Sequence, residues 1–84
     1  MIQKSVQIKL EGGLEARPVA RLVQVASQYE STVYIECADK KVNAKSIMGM
    51  MSLGLDSGEA VTVIADGSDE AEAVAGIENF LGGK

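Results

Sequence analysis

The segment TVYIECADKKVNA, residues 32–44, constrains this chain more than any other. It reads as two strands joined by a tight turn at Ala38-Asp39-Lys40. A hairpin pairs its strands antiparallel, so a sheet that contains it is antiparallel or mixed, never wholly parallel. The segments on either side have to fit around that pair. Upstream, IQKSVQIKL alternates with Val6, Ile8 and Leu10 on one face, the pattern of a half-buried strand. Gly12 and Gly13 end it. From Ala16 to about Gln28 the period becomes helical, with Val19, Leu22, Val23 and Ala26 at i, i+3, i+4 and i+7. Pro18 suits a first turn, where its missing N–H costs nothing.

Downstream of the hairpin, Ser46 opens a short helical piece, SIMGMMSLG, closed by Gly54. EAVTVIADG, rich in β-branched residues, is the last strand. Ser68 is then the expected N-cap of a final helix, with Asp69, Glu70 and Glu72 in the first turn, where the dipole favours anions. Val74, Ile77 and Leu81 supply its apolar stripe, and Gly82-Gly83 ends it. The nine glycines are expected at element ends. The predicted order is βαββαβα, an α+β arrangement with helices on one face of a mixed or antiparallel sheet. Eighty-four residues make a single domain, 1–84, with one modest core and no repeat or linker.

Composition removes several functions. No apolar run is long enough to span a bilayer, and Met1 leads straight into the alternating strand rather than a signal peptide. A lone cysteine, Cys37, has no internal disulfide partner and suits a reducing cytosol, so a cytoplasmic location is expected. Residues 1–42 carry six basic and five acidic side chains; residues 43–84 carry two and seven. With a net charge of −4, direct nucleic-acid binding is not expected, because phosphate neutralisation needs a basic surface. DNA contact, if any, runs through a partner. The chain has no histidine, which removes Ser-His and Cys-His nucleophile pairs and His-containing metal sites. No phosphate-binding glycine loop appears. The expectation is a non-enzyme without metal or cofactor.

Two places look prepared for an anion. At Glu15-Ala16-Arg17 a helix begins, with unpaired N–H groups, a positive dipole end and a fixed guanidinium. The plainer account is that Glu15 is a favourable helix-start acid worth about 0.3–1 kcal/mol. The second place is Lys45-Ser46-Ile47, where Ser46 stands at an N-cap position, and capping alone accounts for it. Capping does not account for the IMGMM that follows. Ile47, Met48, Met50 and Met51 cover most of a short helix's circumference and cannot all face inward. Exposed flexible methionines suit an adaptable partner surface, and a phosphate on the adjoining serine would add nearly two charges.

GLEARP, LVQVASQY, KKVNAKSIMGMMSLG and ADGSDEAEAV together resemble the HPr family, phosphocarriers of the bacterial sugar phosphotransferase system, from end to end. The resemblance implies an open-faced β-sandwich: a four-stranded antiparallel sheet with three helices on one face. In that family the first motif reads G-(I/L)-H-A-R-P, and its histidine takes phosphate from Enzyme I. Here that position is Glu15. The sequence is more similar to the Crh type, the branch that lacks the histidine and keeps a regulatory serine. That resemblance implies phosphorylation of Ser46 by the bifunctional HPr kinase/phosphorylase. It also implies that the phosphorylated form is corepressor for catabolite control protein A, a LacI-type DNA-binding regulator.

Ile47, Met48 and Met51 then become the docking surface, flanked by Lys45. On the first helix Arg17, Ala20, Arg21 and Gln24 lie away from the apolar stripe and extend that surface, with Arg17 suited to bridging a phosphoserine or carboxylate. Two alternatives stay open at this point. One is a carrier using Glu15 as an unusual acceptor; the other is a phospho-switch module that binds metabolic enzymes. A homodimer made by exchanging the first strand, hinged at Gly12-Gly13, is a further expectation.

Overall fold

The computed structural model describes residues 1–9, 16–53 and 58–82, and for Ala16 and Arg17 the backbone alone. Its elements follow the predicted order: β1 (Ile2–Gln7), α1 (Ala16–Ser27), β2 (Thr32–Cys37), β3 (Lys40–Asn43), α2 (Ile47–Met51), β4 (Ala60–Asp66) and α3 (Glu70–Leu81). The four strands lie in the order β1-β4-β2-β3 with every neighbouring pair antiparallel. The mixed-sheet possibility therefore falls away. The hairpin β2–β3 sits at one edge, and β4 lies between β1 and β2, paired on both sides.

Alternation decides which residues meet the helices. Val6 pairs with Val61, Val33 with Ala65 and Ile35 with Val63, and these side chains all point to one face. Val19, Leu22 and Ala26 of α1, Met50 of α2 and Val74, Ile77 and Leu81 of α3 close over that face in a single cluster. Each buried valine, leucine, isoleucine or methionine among them contributes about 1.5–3 kcal/mol. Three helices on one face of a four-stranded sheet make the open-faced β-sandwich expected from the sequence. On the opposite face Ile64 pairs with Gln3 and Tyr34 and is only 5% exposed, and the Lys41 ammonium lies 4.7 Å from the Tyr34 ring centroid.

Several local expectations need correction. The hairpin turn is two residues, Ala38-Asp39, because Lys40 already pairs with Cys37. Ala38 takes φ 55, a left-handed conformation that tight two-residue hairpins impose. The first strand ends at Gln7, although Ile8 continues the pairing through Ile8 N–H to Glu59 O (2.8 Å) and Gly58 N–H to Ile8 O (2.6 Å). Lys9 N–H then donates to Leu81 O at 2.8 Å, so the backbone turns toward the end of α3. Leu10, Gly12, Gly13, Gly54 and Gly83 lie outside the described residues.

The N-cap of α3 is Asp69, not Ser68, and its carboxylate makes no capping bond. It accepts instead from the Glu30 N–H (2.9 Å), the Ser31 N–H (2.9 Å) and the Ser31 hydroxyl. Ser31 is buried, so its donors must be satisfied within the fold, and Asp69 is the acceptor within reach. Ser68 Oγ turns to Glu30 Oε2 at 3.4 Å. Glu70 Oε1 accepts from Gly67 N–H at 3.3 Å, ahead of the helix.

Nor do all glycines end elements. Gly76 lies inside α3, where a Cβ would run into the Tyr29 hydroxyl, and Gly67 passes so close that a Cβ would stand 2.6 Å from Ser31 Cα. Both glycines let α3 and the turn after α1 approach closely.

The Ser31 hydroxyl first, and the Glu30 amide next, hold the Asp69 carboxyl below its ordinary value of 3.8. A depressed carboxylate stabilises the fold above the unfolded value and loses that contribution as pH falls through the folded one. Asp69→Asn should therefore melt below the native chain at neutral pH, and the gap should close as pH drops below 3.8. Thermal scans across pH check this; a gap constant with pH would remove the carboxylate from the account.

Candidate functional site

α2 packs against α1 and β3, and its N-terminus is set by the four residues before it. Asn43 Oδ1 accepts the Lys45 N–H at 2.8 Å, a side chain bonding the backbone two residues on. Asn43 O accepts the Ser46 N–H at 3.0 Å, and Ala44 N–H donates to Val33 O at 2.9 Å. Ser46 thus arrives in extended geometry (φ −112, ψ 116), and its Oγ accepts the Gly49 N–H at 3.2 Å. The N-cap expected from the sequence is present. Its side chain is half-buried, with the hydroxyl at the edge of the helix rather than inside the core.

The five residues of α2 divide as their crowding requires. Met50 points inward and is 0% exposed, while Ile47 is 47%, Met48 85% and Met51 53% exposed. Three large apolar side chains thus stand in solvent beside Ser46. On α1, which touches α2, Arg21 and Gln24 are exposed and Ala20 is half-buried. Glu15 and the side chain of Arg17 lie outside the described residues.

Lys45 behaves differently from its neighbours. Its ammonium donates to the Tyr29 carbonyl, just past the last turn of α1, at 2.7 Å in a partly buried position. Sequence reasoning did not single out Asn43 or Tyr29. Asn43 left a usable signal, an Asn two residues before a helix-capping segment, whereas nothing local marks Tyr29 as the acceptor for Lys45.

Among the described residues, no three His, Cys, Asp or Glu side chains gather to hold a metal, and no helix is long and apolar enough to cross a membrane. A cleft of about 320 Å³ between β1 and the end of α3, lined by Ser5, Gln7, Lys9, Glu78 and Asn79, includes none of the residues expected at the site. Among the described residues, the arrangement around Ser46 offers no nucleophile–base pair. What it offers is a serine hydroxyl at a helix start beside an apolar surface.

The family described as PTS HPr component phosphorylation site matches residues 2–82. This chain belongs to the HPr family. The HPr-like protein Crh of Bacillus subtilis is 53% identical over 81 residues, covering 96% of this chain and 95% of that one. The crystal structure of HPr-C-His from Thermoanaerobacter tengcongensis superposes with a TM-score of 0.93 at 44% identity, covering 100% of this chain and 98% of that one. The crystal structure of Bacillus subtilis Crh, described as a catabolite repression protein and a dimer with a swapped domain, has a TM-score of 0.81 at 46% identity over 100% and 97% of the two chains. The HPr fold accounts for the open-faced sheet and for the position of α2 at its rim.

Proposed function

We propose that this HPr-family chain is a Crh-type regulatory protein of the cytoplasm, a phospho-switch and not an enzyme. Ser46 is the phosphorylated residue, HPr kinase/phosphorylase sets and removes the phosphate, and the phosphorylated form acts as corepressor of catabolite control protein A. The observation that carries the reading is the coincidence, at one helix end, of a half-buried serine that caps the helix with three exposed apolar side chains, Ile47, Met48 and Met51. A partner that reads both needs an apolar pocket and a cation next to it. Arg21 and Gln24 on α1 extend the contact, and the relatives named Crh support the assignment. Exchange of the first strand between two copies is proposed on the same footing, from the swapped-domain dimer of the relative.

The test is binding of the Ser46-phosphorylated and unmodified chains to the purified regulator, measured by calorimetric titration. The phosphorylated chain should bind at least about tenfold more tightly, since hydrogen bonds to a charged group contribute on the order of 1.5–3 kcal/mol. Ser46→Ala should neither accept phosphate from the kinase and ATP nor show the tighter binding. Equal affinity of the two forms, or phosphate placed on Ser52 or Ser57, would refute the proposal.

A further inference from the structure

Lys45 ties the start of α2 to the end of α1, its ammonium donating to the Tyr29 carbonyl at 2.7 Å one residue from the proposed serine switch. We infer that Lys45 is a positioning residue of that switch: its ammonium stays on the Tyr29 carbonyl whether or not Ser46 carries phosphate, holding α2 against α1 and leaving the phosphate's charge for the partner to meet. This rests on Ser46 being the switch.

Both ends of the tie are fixed independently. At the acceptor end, Tyr29 packs on the core and its hydroxyl occupies the space that a Cβ at Gly76 would need. The next two backbone N–H groups, of Glu30 and Ser31, are held by the Asp69 carboxylate at 2.9 Å each. At the donor end, the Lys45 N–H is held by Asn43 Oδ1 and the residues on either side bond to Val33 O and Asn43 O.

There is also an electrostatic reason for a cation here. α1 has no basic residue in its last turn, so its negative C-terminal end is met by no side chain of its own helix. Lys45 supplies that charge from the neighbouring element, at 2.7 Å. Turning toward a phosphate on Ser46 would leave the partly buried Tyr29 carbonyl without its donor, in exchange for a pair formed in solvent and weakened by it.

The experiment uses the full chain with phosphoserine installed at position 46 during synthesis, so it does not depend on the kinase. The ³¹P resonance is titrated in the native chain and in Lys45→Met and Lys45→Arg, and the thermal midpoint of each is measured with and without phosphate. Lys45 on the carbonyl predicts a phosphoserine titration midpoint that moves by less than roughly 0.2 pH units in Lys45→Met, close to the ordinary value near 6. It also predicts a Tm lower by roughly 4–8 °C in both the phosphorylated and unmodified forms. Lys45→Arg, which keeps a donor, should recover most of that loss. A midpoint raised by about half a unit or more in Lys45→Met, or a Tm loss confined to the phosphorylated form, would put the ammonium on the phosphate and overturn the inference. Should Lys45→Met not fold, Lys45→Gln, which keeps a donor for the carbonyl and removes the charge, decides: an unchanged midpoint supports the tie, and a midpoint raised by about half a unit or more refutes it.

Discussion

Met50→Ala should destabilise the chain by about 2–5 kcal/mol, whereas Met48→Ala, two residues away, should change stability by no more than about 0.5 kcal/mol. Met50 is 0% exposed and joins the core formed by the sheet and three helices, so truncation leaves a cavity there. Met48 is 85% exposed and contributes little to that core. In a chain of this size each kcal/mol moves Tm by roughly 4–8 °C, so the two variants should be well separated in a thermal scan. The order should invert in binding. Truncating an apolar anchor at an interface commonly costs about 1–2 kcal/mol or more, so Met48→Ala or Met51→Ala should weaken capture by the regulator by a factor of roughly 5–30. A collapse in Tm for Met48→Ala, or unaltered binding for both Met48→Ala and Met51→Ala, would end the docking role given to this surface.

Glu15→His should convert a chain that takes no phosphate from phosphoenolpyruvate and Enzyme I into one that is labelled, at least slowly. Imidazole offers a nucleophilic nitrogen near neutral pH. A carboxylate at a helix start is stabilised as an anion, is a weak nucleophile, and would form an acyl phosphate that hydrolyses readily. The neighbours that the family motif shares, Ala16, Arg17 and Pro18, are already in the chain. Glu15 supplies about one charge where a phosphate supplies nearly two, so any mimicry of a phosphorylated carrier is partial. Radiolabel transfer followed by gel separation reads the result. Stable label on the native chain would reverse the non-carrier reading, and failure of Glu15→His to label would show that more of the Enzyme I surface has changed than this one position.

Much of the site was legible because it is made of local relations. Ser46 capping α2 is a three-residue relation, Ser46 Oγ to Gly49 N–H, and caps are written in sequence. The crowding of IMGMM likewise showed that part of α2 must face solvent. It could not show which part, because the inward direction is set by β3 and α1, whose positions come from the sheet. Met50 is the residue that direction selects. Ser68 as the N-cap of α3 was a reasonable local reading, displaced when Asp69 found two backbone amides and a hydroxyl from residues 30 and 31.

By itself the sequence determined the order of elements, the antiparallel hairpin, the core residues Val6, Ile8, Val19, Leu22, Ala26, Val74, Ile77 and Leu81, with Val23 of the same stripe only partly buried, and the serine at the start of α2. Each follows from periods of two or 3.6 residues and from caps, and these act over a few bonds. Only the tertiary structure decided that β4 lies between β1 and β2, that Gly76 makes room for Tyr29, and that Lys45 reaches across to the end of α1. Those relations join residues between 16 and 63 positions apart, as Lys45 to Tyr29 and Ile2 to Ala65 do, and satisfying them depends on where packing brings the backbone, which no local period encodes.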